Sequence, residues 1–238
     1  MDLAGVSQQL ARERSLMIQA WVSKEQHFSR WVEHPSSSIL HHDQDCCERA
    51  RLWFLAYARS METGNQSQFQ LKAPTWLSQL FTWGPSKCPI FWCQLVRETV
   101  IDCGVFAALA REVFLAQGHE AHPAQALLSY DETCTRHWKD LWKKEPKKLH
   151  ANLAEAKKEV DQKASEVFPW IGTKMVYHEL CVVEWLDGIA KVYDSTWGNW
   201  YEPHQRIGFG ALLAIRTECP RVLRWGNRTM SCGEWMDL

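Results

Sequence analysis

Read for its alternation of apolar and polar positions, the chain has a helical first part and a strand-rich second part. Over residues 2–33, Leu10, Leu16, Met17, Ala20, Trp21 and Phe28 recur at roughly helical spacing, with polar residues between. The loop "EHPSSS", Glu33 to Ser38, separates them from a second stripe: Ala50, Trp53, Phe54, Tyr57, Ala58 and Met61. Asp43 or Asp45 caps that helix, and it stops near Gly64. The linker-like "NQSQFQLKAPTW" leads into a short predicted helix over Trp76 to Trp83, ended by the Gly and Pro residues of "GPSKCP". "IFWCQLVRETVID" fits a strand or an irregular segment.

The clearest helix follows Cys103. Phe106, Ala107, Leu109, Ala110, Val113 and Phe114 form a wide apolar face, and Gly118 suits the C-cap. "AHPAQALLSYD" reads as a strand. Residues 135–168 are dense in Lys, Glu and Ala, with apolar residues at Leu141, Trp142, Leu149, Leu153 and Val160, and predict one or two exposed helices. "TKMVYHELCVVEWLDGIAKVYDSTWGNWY" reads as a β-hairpin that turns at Asp187 and Gly188. The tail, "FGALLAIRTECPRVLRW", adds another short element. Helices first, one central helix, then strands is the order of an α+β fold.

Composition narrows the picture. The 238 residues suffice for one large domain, or one with an added arm. A net charge of −1 offers no electrostatic footprint for nucleic acid or an anionic membrane. No apolar run is long enough to span a bilayer, and the first residues lack the pattern of a signal peptide. The 14 Trp residues must largely be buried or line a cleft. Nine cysteines, an odd number irregularly spaced, fit a reduced, cytoplasmic setting better than a disulfide framework. "HHDQDCC", His41 to Cys47, holds metal-ligand residue types. Adjacent cysteines do not readily turn to one ion, however, and no second pair stands at zinc spacing, so no metal or other cofactor is expected.

Cys103 carries the candidate chemistry. The first turn of a helix offers unpaired N–H groups and about half a positive charge, which favour a thiolate and can receive an oxyanion. Asp102 is a good N-cap type, which would put Cys103 in that turn, and Gly104 leaves the sulfur approachable. A small buried hydrophobe is the competing reading of such a cysteine. A nucleophile also needs a base and an orienter. His178 lies inside a predicted strand, where a polar ring needs a use, and Asp194 lies past the turn in a strand type that disfavours Asp. A two-residue loop with a regular ladder would set Asp194 opposite Cys181, on the other face from His178. A three-residue loop ending in Gly188, or a bulge with the same effect, sets Asp194 opposite Leu180 and beside His178.

Cys103 in "DCGVFAALAREVFLAQG", His178 in "YHELCVVEW" and Asp194 in "YDSTWGNW" resemble the three core motifs of the transglutaminase-like superfamily. The resemblance covers roughly residues 95–202. It implies a papain-like core, a central helix packed on an antiparallel sheet, over 91–238, with a helical insertion at about 135–168. The mainly helical region 1–90 would pack on that core. It also implies a Cys103–His178–Asp194 triad that transfers an acyl group through a thioester. Papain-like enzymes complete the oxyanion hole with a side chain upstream of the Cys, here Gln94 or else Trp92. Trp197, Trp200 and Tyr201 would line a substrate cleft or pack in the core. The expected partners are an acyl donor (a small molecule, a peptide or a carrier-protein thioester) and an amine acceptor. Amide formation, as in natural-product pathways, is the favoured reaction. A cysteine peptidase or amidase is the alternative, and a non-catalytic binding module the second.

Overall fold

The computed structural model describes residues 50–52, 54–55, 57–58, 71–84, 92–95, 100–129, 152–162, 175–186, 188–203, 206–207 and 210–238. The stripe over residues 2–33, the caps at Asp43 or Asp45 and "HHDQDCC" lie outside them. Of the second stripe, Ala50, Phe54, Tyr57 and Ala58 are helical and buried. Four bounded helices follow: α1 (Leu77–Leu80), α2 (Trp92–Leu95), α3 (Cys103–Ala116) and α4 (Leu153–Gln162). Only α4 and its preceding residue belong to the described part of the expected 135–168 insertion.

The stretch after Trp76 gives one helical turn, α1, and then β1 (Thr82–Trp83). β1 pairs in parallel with β2 (Val100–Ile101), so a ladder joins the two sides of the expected boundary at residue 90. The main sheet contains β3 (Ala121–Ser129), β4 (Met175–Leu186), β5 (Ile189–Asp194), β8 (Gly210–Thr217), β9 (Leu223–Trp225), β10 (Arg228–Met230) and β11 (Met236–Asp237). Their order is β10-β9-β5-β4-β3-β8-β11; β6 (Asn199–Tyr201) pairs with β5, and β7 (Arg206–Ile207) with β8.

The expected fold class needs correction. The described residues are strand-rich and organised by a seven-strand path, not by a central helix on an antiparallel sheet. α3 lies against β3 and β4, a small part of that path, and β5 meets β9 in parallel. The tail is where the sequence reading fell short. That stretch holds two strands, β8 and β9, with β7 before it and β10 and β11 after it, and β8 stands directly beside β3 inside the sheet. Most of these strands are too short for an alternating pattern to show. β8, "GALLAIRT", is an apolar run whose alternation is broken at Ala214 and Ile215, both buried.

One apolar core joins Phe54, Trp76, Leu77 and Trp92 to α3 and the sheet. A second, smaller cluster under α4 contains Leu127, Ala156, Val160, Met175, Tyr177 and Ala214. β4 is buried from Met175 to Glu184, so both its faces are covered, and its sequence shows little polar alternation. His178, Glu179 and Glu184 are thus polar groups in a core strand. No described helix is long and apolar enough to cross a membrane.

Candidate active site

α3 starts at Cys103 because Asp102 caps it. Asp102 is extended (φ −83°, ψ 175°), and its Oδ1 accepts the Val105 N–H at 3.0 Å. At the other end Gly118 takes a left-handed conformation (φ 84°), and the His119 N–H closes back on the Phe114 carbonyl at 3.0 Å. Every residue from Cys103 to Ala110 is buried, which fixes the helix start firmly.

β4 and β5 position the next two residues. Leu186 pairs with Ile189 across a tight turn, where Gly188 has φ 68°. The register then shifts between Glu184 and Leu186, leaving Trp185 as the extra residue of a bulge. Beyond it Glu184 faces Ala190 and Cys181 faces Tyr193. Asp194 thereby comes beside His178: His178 Nε2 lies 3.0 Å from Asp194 Oδ2. The other carboxylate oxygen accepts the Thr196 N–H at 3.0 Å, so the turn after β5 holds the Asp in place. Next to this pair, the hydroxyls of Ser195 and Thr196 are buried with no hydrogen-bond partner among the described residues.

β5 ends at Asp194, and its ladder with β4 stops at Cys181. α3 meets β4 just beyond that point, and the Glu179 backbone N–H favours the Cys103 anion. Glu179 and Tyr177 share one strand face, since the Tyr177 O–H donates to Glu179 Oε1 at 2.8 Å. His178, between them in sequence, points to the other. The thiol stands near carboxylates from both faces: Glu179 on one, Asp194 on the other, with Asp102 at its own helix start. Cys103, His178 and Asp194 are all buried, at 3%, 1% and 0% exposure, and the Asp194 charge reaches the thiol.

The electrostatics differ from the expectation of a thiolate. Burial first, then the charges of Glu179 and Asp102, push the Cys103 thiol well above its ordinary range. The helix start and the Glu179 N–H favour the anion but do not outweigh them. Glu179 is itself pushed up, from 4.5 to about 8, by burial and by repulsion from Asp102.

The remaining expected residues are spread. Trp92 is fully buried in the core, with its ring 5.3 Å from that of Phe54. Gln94 belongs to α2, but its side chain lies outside the described set. Trp197 is exposed, Trp200 packs on Tyr193 and Phe114, and Tyr201 is buried in the core. The sequence reading missed Glu179 and Tyr177. Glu179, like His178, is a polar residue inside an apolar strand, and that signal is present in the sequence. No protein-family model matches the chain, and no curated protein matches it.

Proposed function

We propose that the chain transfers acyl groups through a thioester on Cys103, with an amine as acceptor. Cys103 attacks the donor carbonyl as His178 takes the thiol proton. Because Asp194 engages Nε2, that proton passes through Nδ1. Collapse of the tetrahedral intermediate expels the donor's leaving group, protonated by His178, and leaves the thioester. The amine then attacks the same carbon, and the sulfur departs and regains its proton. The oxyanion falls to first-turn N–H groups of α3, with Gln94 or Trp92 as the second donor. The donor is a small molecule, a peptide or a carrier-bound thioester. The observation that carries this reading is the buried His178–Asp194 bond, in a core that also holds a buried cysteine at a helix start. The three motifs resembling the transglutaminase-like superfamily add to it. Water in place of the amine gives the amidase or peptidase variant of the same chemistry.

The burial of Cys103 and its raised thiol favour a second reading, a binding module without catalysis. Intact-mass spectrometry with a panel of acyl thioesters separates the two. Acyl transfer predicts an adduct on Cys103 that amines discharge faster than buffer does. A chain that stays unlabelled with every donor, while folded, sinks the acyl-enzyme.

A further inference from the structure

A chain of donors, each fixing the next, leads to Glu179. Arg216 Nε donates to Gln125 Oε1 at 3.0 Å, and its second nitrogen bonds the same oxygen. A guanidinium can only donate, so this fixes which end of the Gln125 amide is oxygen. Gln125 Nε2 therefore donates to the Tyr177 oxygen at 3.3 Å, and the Tyr177 hydroxyl proton must point at Glu179 Oε1. Arg216 is held from outside by Asp161 of α4, at 2.5 Å. All these donors serve a Glu179 carboxylate as acceptor, yet the cation itself stops at Gln125.

Glu179 is 5% exposed and no salt bridge to it forms among the described residues. Tyr177 reaches only Oε1, and no hydrogen bond of the described residues reaches Oε2. Its other titratable neighbours are Asp102 at the start of α3, Glu218 after β8, and the Cys103 thiol. None is a cation. A carboxyl with so little exposure to water is stabilised by a counter-charge or a proton.

We infer that Glu179 binds the acceptor amine as its ammonium form beside the Cys103 thioester and takes one proton from it, so that the acceptor class is a basic amine. This rests on the acyl-transfer reading above. The step balances. The ammonium gives one proton to Glu179, and the freed lone pair attacks the thioester carbon. The C–N bond forms as C–S breaks, a second nitrogen proton reaches the sulfur through His178, and the third stays on the amide. Glu179 then releases its proton to solvent.

The test uses the full chain, acylated on Cys103, discharged at one pH by ethylamine, which is cationic, or methoxyamine, which is neutral. The readout is the ratio of the two discharge rates. Glu179→Gln should lower that ratio at least tenfold, and Glu179→Asp should restore part of it. A ratio left unmoved, whatever happens to the overall rate, overturns the inference. A second measurement needs only the wild type. Trimethylammonium, which has the charge but cannot form the amide, should compete with ethylamine and not with methoxyamine; equal or absent competition counts against Glu179. If no donor ever acylates Cys103, it is the acyl-transfer reading that fails. If the acyl-enzyme forms and both amines behave alike, only the assignment of Glu179 fails.

Discussion

His178 Nε2 and Asp194 Oδ2 lie 3.0 Å apart, fully buried, because Trp185 is an unpaired extra residue in β4. With a regular ladder from the turn, Asp194 would face Cys181 and point away from the ring. The bulge moves the whole of β4 beyond it by one residue and exchanges the faces. The pair is therefore a product of register, set by a feature several residues away.

Removing one partner should be costly. Asp194→Ala removes the carboxylate that His178 and the buried Thr196 N–H share and should lower stability by about 3 kcal/mol. Urea unfolding checks this. His178→Ala with Asp194→Ala should cost clearly less than the two separately, since they share one bond.

Glu179 should tilt stability with pH. The folded state holds its proton up to about 8, whereas the unfolded chain loses it near 4.5. Between those values the folded state binds more protons, so stability falls as pH rises, by at most about 1.4 kcal/mol per pH unit from this group. Unfolding curves between pH 5 and 8 should show that slope, and Glu179→Gln should flatten it.

The thiol should behave as a protonated, shielded group. Iodoacetamide should label Cys103 slowly at neutral pH in the folded chain, faster as pH rises, and readily in urea. Above pH 8, where Glu179 is charged, Glu179→Gln should speed labelling by removing a repelling carboxylate. Peptide mass mapping separates Cys103 from the exposed Cys232.

Asp102 both caps α3 and repels the thiolate. Asp102→Ala should cost about 1 kcal/mol of stability through the lost cap. The same change should lower the thiol's pKa, so alkylation at a fixed pH becomes faster. A variant that is less stable but alkylates no faster would separate the cap from the electrostatics.

What was legible in the sequence was local. α3 was readable from its cap, its apolar face and its closing glycine, and the hairpin from its Asp187-Gly188 turn. The register could be reduced to two choices, and the strange placement of His178 and Asp194 favoured one. The sheet as a whole was not readable, because β8 joins β3 from far along the chain and β9 to β11 carry too few residues for a periodic signal. The thiol's charge state was hidden for a related reason. A helix start is visible in sequence, but Glu179 and Asp194 approach Cys103 only through the packing of β4 and β5 around it.

The most direct measurement is the rate at which Cys103 is acylated by one activated thioester, in wild type and in His178→Ala, with folding of both verified. The account predicts a single adduct on Cys103, absent in Cys103→Ala, forming at least about a hundredfold more slowly without His178. Equal acylation rates in the two proteins, or an adduct confined to other cysteines, would contradict it.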